Sequence, residues 1–353
     1  MATTFKTRRK TVRKLILFVS AVLLLVIGCD NELDVNADWK DVATVYGLLN
    51  PDNDTQWVRI GRTYLGDQGF AGGSQDPDSL YYKSIQVQLD ELGPGGNVLS
   101  TTNLIKDETS RSLDSGFFTQ NGYHLYRTQM PINTSSRYRL TVLKPDSLQT
   151  VTAETEILSP FDITRPRNNS SVNFTALNGA RFSWDPTPGG GIYQGIIRFH
   201  YREQDRSNKG VVVQKYLDYP LPVKYESPVE IIYNIDYNTY FRFLSREIPE
   251  TNDLNRFFDS IGFYVTAGTE EFATYIRVNQ PSDGIAQDRP DYTNINNGIG
   301  IFASVVSTFR EGLDLNPQTL DSLLYSDLMC GRRFGRKELL DTCYCVNGVK
   351  FCE

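Results

Sequence analysis

The chain has 353 residues, with 36 Lys and Arg against 42 Asp and Glu and a formal net charge of -6. An acidic balance whose clustered Lys and Arg lie in the N-terminal stretch, residues 6–14, argues against nucleic acid as a partner class. Two His remove most general-base and zinc chemistry, while 20 Tyr and 19 Phe beside three Met favour strands over helices.

The first stretch has the pattern of a secretion signal. Basic residues from Lys10 to Lys14 precede an apolar run from Leu15 to Ile27, and Gly28-Cys29 closes it. A basic n-region, a short apolar h-region and a small residue before the cut form that pattern. The run falls short of the roughly 20 apolar residues that a spanning helix needs. With Cys at the cut, Val26-Ile27-Gly28-Cys29 resembles bacterial lipoprotein signals. The resemblance implies removal of residues 1–28 and attachment of a diacylglycerol to the Cys29 thiol. About 325 residues then remain, enough for two domains with a core each.

Residues 29–41 form an acidic, extended tether with Asp30, Glu32, Asp34 and Asp38. In lipoproteins of the Bacteroidota, acidic residues just after the lipidated Cys mark export to the outer leaflet of the outer membrane. A surface and a periplasm-facing location both stay open.

Across residues 42–158 the apolar residues recur with period two. Val58, Ile60 and Tyr64 alternate with Arg59 and Gly61; Ile85, Val87 and Leu89 with Gln86 and Gln88; Tyr138, Leu140 and Val142 with Arg139 and Thr141. Such segments are half-buried strands. Turn signals separate them at Asn50-Pro51-Asp52, Gly93-Pro94-Gly95-Gly96, Asn121-Gly122 and Lys144-Pro145-Asp146. Short strands at this spacing predict an antiparallel β-sandwich. The ending, residues 138–142 and then 150–155, resembles the last two strands of a fibronectin type III or immunoglobulin-like domain.

Residues 159–171 are polar and proline-bearing, as a linker should be. A second β-sandwich is expected over 172–310. It opens with Ala180 to Trp184, a core tryptophan, followed by a Pro/Gly loop and a strand in which Ile197, Phe199 and Tyr201 share one face. Further strands are expected near 211–216, 240–244, 261–266 and 299–305, and a short helix over 251–259. Residues 270–278 fit helix or strand. In the tail, 311–353, Asn316-Pro317 is a helix start, and Leu320, Leu323, Leu324 and Leu328 fall on one helical face.

Four cysteines crowd that tail: Cys330, Cys343, Cys345 and Cys352. In an exported chain two disulfides are the first reading and a four-cysteine zinc site the second. Asn347-Gly348, flanked by Val346 and Val349, is a two-residue hairpin signal. Counting outward sets Cys343 opposite Cys352 in a non-hydrogen-bonded pair, with Cα atoms about 4.5 Å apart, which suits a disulfide. Cys345 is then left for Cys330, and each bridge contributes roughly 2 to 4 kcal/mol.

One further resemblance rests on Val45-Tyr-Gly-Leu-Leu49, Arg59-Ile-Gly-Arg62, Glu271 to Asn279 and Tyr292 to Phe302. These stretches are similar to a family of Bacteroidota outer-membrane lipoproteins of unknown function, two-domain β proteins associated with TonB-dependent transporters. The resemblance spans residues 30 to about 310 and implies a location and a partner class, not a reaction.

No catalytic constellation emerges. His124 and His200 lack a nucleophile or a second His nearby in sequence. Paired carboxylates at Asp90-Glu91, Asp107-Glu108 and Glu270-Glu271 leave a glycoside hydrolase as the least favoured class. Asp52-Asn53-Asp54 lacks the continuation of a calcium loop, and neither a metal nor another cofactor is expected. The Gly-rich loop from Gly61 to Ser79 makes Tyr64, Phe70 and Tyr81 the candidate binding residues. Ser79 and Ser147 lie in Asp-Ser-Leu triplets that match a short Bacteroidota O-glycosylation pattern. The expectation is a non-enzymatic, lipid-anchored binding module for a TonB-dependent transporter or other envelope protein, with glycan or peptide capture as the alternative.

Overall fold

The computed structural model describes residues 41–63, 80–107, 124–144, 149–280, 292–335, 343–346 and 349–352. The signal segment, Cys29 and nearly all of the tether lie outside them, as do Tyr64, Phe70, Ser79 and Ser147.

The chain is mainly β. Its N-terminal part comprises β1 (Ala43–Leu49), β2 (Gln56–Arg62), β3 (Gln86–Leu92), β4 (Val98–Asn103), β5 (Ile105–Asp107), β6 (Leu125–Thr128), β7 (Arg137–Leu143) and β8 (Val151–Glu156). Then follow β9 (Ile163–Arg165), β10 (Ser171–Val172), β11 (Ala180–Trp184), β12 (Gly190–Asp205), β13 (Val212–Pro220), β14 (Lys224–Tyr225), β15 (Ile231–Ile235) and helix α1 (Tyr237–Glu247). The remainder is β16 (Leu254–Thr269), α2 (Glu270–Asn279), β17 (Gly298–Leu315), α3 (Pro317–Tyr325), β18 (Phe334–Gly335), β19 (Cys343–Val346) and β20 (Val349–Cys352).

The period-two segments behave as expected. Val87, Leu89, Tyr138, Leu140 and Val142 point inward from the antiparallel sheet β4-β3-β7-β8. They meet Ala43, Val45, Val58 and Ile60 of β1 and β2, so two sheets enclose one core. A second core lies between the sheet β13-β12-β16-β17 and a layer made of β15-β11-β9 with α1 and α3. Trp184 is fully buried there, its ring stacked 5.8 Å from that of Tyr233.

The strand β17 departs from the domain limits expected from sequence. Its first half pairs in parallel with β1, from Ala43 opposite Gly298 to Leu49 opposite Ser304. Its second half pairs antiparallel with β16, from Val305 opposite Gly268 to Leu313 opposite Ile261. The expected end of the second domain at 310 therefore falls inside a strand, and Ile295 and Phe302 belong to the N-terminal core. Gly300 makes the close approach to β1 feasible: its φ is +119°, and a Cβ there would sit 2.0 Å from the Val45 carbonyl oxygen.

Two local expectations are corrected. Residues 240–244 are helical within α1, because the Asp236 carboxylate accepts from Thr239 N at 3.0 Å and Tyr237, Tyr240, Phe241 and Leu244 recur at helical spacing against the core. Residues 254–259, expected as helix, begin the 16-residue β16. The ambiguous stretch after it is the helix α2. The tail helix starts as expected, with the Asn316 side chain accepting from Thr319 N at 2.9 Å and Leu323 and Leu324 buried.

β19 and β20 pair antiparallel with Cys343 opposite Cys352 and Val346 opposite Val349. The side chains of Cys343, Cys345 and Cys352 lie outside the described residues, whereas Cys330 is buried and disulfide-bonded.

Candidate binding face

The strand that sends Ile197, Phe199 and Tyr201 into the core must present its alternate residues on the other side of the sheet. Those residues are Gln194, Ile196, Arg198, His200 and Arg202. The register places Arg198 between Asp218 of β13 and Gly262 of β16, and His200 between Tyr216 and Ser260. Among the described residues no layer covers this face except α2 at one end, where Phe272 closes over Gly268.

Arg198 organises the face. Its Nε and Nη2 donate to the two Asp218 carboxylate oxygens at 2.6 and 2.8 Å, a bidentate fork. The guanidinium carbon lies 4.3 Å from the Tyr216 ring centre and 4.9 Å from that of Tyr264. Tyr264 in turn stacks on Phe309, with ring centres 6.1 Å apart and planes 30° from parallel. A cross-strand series Tyr216, Arg198, Tyr264, Phe309 therefore crosses four strands, held by cation–π and aromatic contacts.

Its two ends are open to solvent, Tyr216 at 58% and Phe309 at 59% exposure. The polar groups between them are paired. The Tyr264 hydroxyl donates to the Glu311 carboxylate, Arg202 Nε donates to Asp259 Oδ1 at 2.7 Å, and the Thr266 and Ser307 hydroxyls lie 2.9 Å apart. Burial, then the bond to Glu311, pushes the Tyr264 phenol up to about 12. Asp218 raises the basicity of Arg198, so the guanidinium stays charged. The surface is aromatic and close to charge-balanced, and among the described residues it offers ring stacking and paired polar groups.

The residues singled out from sequence lie elsewhere. Tyr81 is only 5% exposed, its ring 4.7 Å from that of His124, so it is a packing residue and not a surface aromatic. Tyr82 is likewise buried and donates to Asp41 Oδ1 at 2.9 Å. Asp90 and Glu91 are neighbours on β3 and therefore point to opposite faces. The Ser136 hydroxyl donates to Glu91 at 2.7 Å and is the main cause holding that carboxyl below its usual range. Glu270 is shifted upward, first by burial and then by its bond with Glu226, at the start of α2. His200 is half-buried beside the Tyr216 ring, 6.3 Å away. Among the described residues no group of three or more His, Cys, Asp or Glu is placed to hold a metal ion.

The sequence signal for this face was present but incomplete. The inward register of β12 implies Arg198 and His200 outward, but Tyr264 and Phe309 join them only through strand pairings distant in sequence.

No family model matches the chain, and no curated protein matches it. Among solved structures it is similar to one titled "Biofilm associated protein - BSP domain", with 11% identity, covering 77% of this chain and 30% of that one, at a TM-score of 0.16. A likeness at that level carries no argument about fold or function, and this chain spans under a third of that protein's length.

Proposed function

We propose that the chain is a non-enzymatic binding module whose docking surface is the open face of β13-β12-β16-β17. The observation that carries this reading is the pair of solvent-open rings, Tyr216 and Phe309, at the ends of a rigid series built on Arg198. Tyr and Arg are the residues that anchor protein interfaces, and exposed rings set in an open sheet face favour a protein partner over a small ligand. The lipidation pattern at Cys29 motivates a lipid-anchored location at the outer membrane, and the resemblance of residues 30–310 makes a TonB-dependent transporter or another envelope protein the partner class. Membership of that lipoprotein family is part of this proposal. Glycan or peptide capture is the second reading, favoured by stacking rings beside paired Arg and Asp groups.

The test is a mild-detergent pull-down of the tagged chain from its native membrane, read by mass spectrometry beside Cys29→Ala and a Tyr216→Ala, Phe309→Ala double variant. A single envelope protein recovered in near-stoichiometric amount with the native chain and lost with the double variant supports the reading. Recovery of the chain alone, or of a partner indifferent to both ring substitutions, overturns it.

A further inference from the structure

The same sheet ends in a bare strand. β13 is the terminal strand of the order β13-β12-β16-β17, and β12 is its sole neighbour among the described residues. Nine residues long, it is the longest of these sheets' edge strands among the described residues; β4 and β8 have six, β15 has five, and β5 and β9 have three. Val212, Val213 and Tyr216 are open to solvent along it, and Lys215 is the single basic residue that guards it.

The bonding parity of this edge is readable. Leu221 N donates to Gly195 O at 2.9 Å beyond one end, and Asp205 N donates to Val211 O at 3.2 Å beyond the other. The register between these points is unbroken, so odd-numbered residues of β13 bond to β12. The backbone N–H and C=O groups of Val212, Gln214, Tyr216 and Asp218 then point away from the sheet. Pro220, which has no N–H, falls at an outward position where none is used within the chain.

We infer that a second copy of this chain pairs with this edge, β13 against β13 in antiparallel orientation about a twofold axis at Tyr216. An isologous edge contact must set outward-bonding residues opposite one another. A centre at Lys215 would bring two ammonium groups face to face in the narrow pair, which disfavours that register. A centre at Gln214 pairs only part of the strand. A centre at Tyr216 is the midpoint of Val212–Pro220 and uses all of it. Tyr216 then faces its own copy, Gln214 faces Asp218, Lys215 faces Leu217 and Val213 faces Tyr219, so amide meets carboxylate and no like charges are opposed. The stacked series of one copy continues through the two Tyr216 rings into that of the other.

This inference concerns the strand edge and shares Tyr216 with the partner reading, which concerns the face; Gln214→Pro, outside the aromatic series, separates the two. Native mass spectrometry of the full chain, released from detergent at about ten micromolar, tests it. The expected species is a dimer. Gln214→Pro removes an outward donor while leaving every bond to β12, and is expected to halve the mass with an unchanged circular dichroism spectrum; Gln214→Ala is expected to stay dimeric. Tyr216→Lys, an exposed change that sets like charges across the axis, is expected to give single copies as well. A native chain that appears only as single copies, or a folded Gln214→Pro variant that remains dimeric, overturns the inference.

Discussion

Gly262 lies directly beneath the ring of Tyr264: a Cβ at Gly262 would come within 2.8 Å of Tyr264 Cε2. The missing side chain lets the ring fold back along its own strand and reach both Arg198 and Glu311. Gly262→Val is therefore expected to lift Tyr264 off the sheet, at a cost of about 1 to 3 kcal/mol from crowding. Denaturant unfolding measures that cost, and tyrosine nitration followed by peptide mapping should show Tyr264 newly reactive.

The Tyr264 phenol gives a pH prediction with a definite sign. Its folded pKa, about 12, lies above the ordinary value of 10, so its contribution to stability is complete below pH 10 and is lost as pH rises through 12. Tyr264→Phe keeps the ring stack and removes this group. The melting temperature of the variant is expected to fall less steeply than that of the native chain between those two values. A residual fall is expected, since burial also raises Tyr126, to about 12.

Among the described residues Arg256 is the most buried charge, with its side chain 1% exposed. Its Nε donates to Glu203 at 2.9 Å, and its Nη1 donates to the carbonyl oxygens of Pro249 and Arg332, each at 2.9 Å. It thus fastens the approach to Cys330 onto β16. Arg256→Ala leaves a partly buried carboxylate and two carbonyls unmatched, and the expected loss is about 3 to 5 kcal/mol by chemical denaturation. Arg181→Ala removes an exposed pair with Glu230 and is expected to cost at most about 1 kcal/mol.

Among the described glycines, Gly300 is where a single added methyl group, as in Gly300→Ala, should do most damage. It combines a positive φ with a Cβ placed inside the Val45 carbonyl. The expected outcome is loss of the β1–β17 pairing, seen as fast amide exchange at both strands or as failure to accumulate soluble protein.

What the sequence disclosed and what it withheld follow from the range of the forces involved. Strands such as β3 and β7 were legible because alternation is local, and the start of α3 because Asn316 caps the turn that follows it. Helix α1 was misread because its Tyr and Phe residues carry high strand propensity, which burial of one helical face outweighed. The candidate face was legible only in part: the alternation of β12 turns Arg198 outward, but Tyr216, Tyr264 and Phe309 come from three other strands, and only long-range pairing brings them beside it. Tyr81 was misjudged for a related reason. Its place beside a Gly-rich loop suggested solvent, but its ring packs against His124.

The continuity of Gly298–Leu315 has a consequence for how this protein comes apart. A rod shared by both cores transmits strain from one to the other, so neither half can melt without stripping the other of a strand. Heating or pulling should therefore reveal one cooperative unit where two would be counted from the sequence, and cutting the chain near residue 158 should yield no independently folded piece on the N-terminal side.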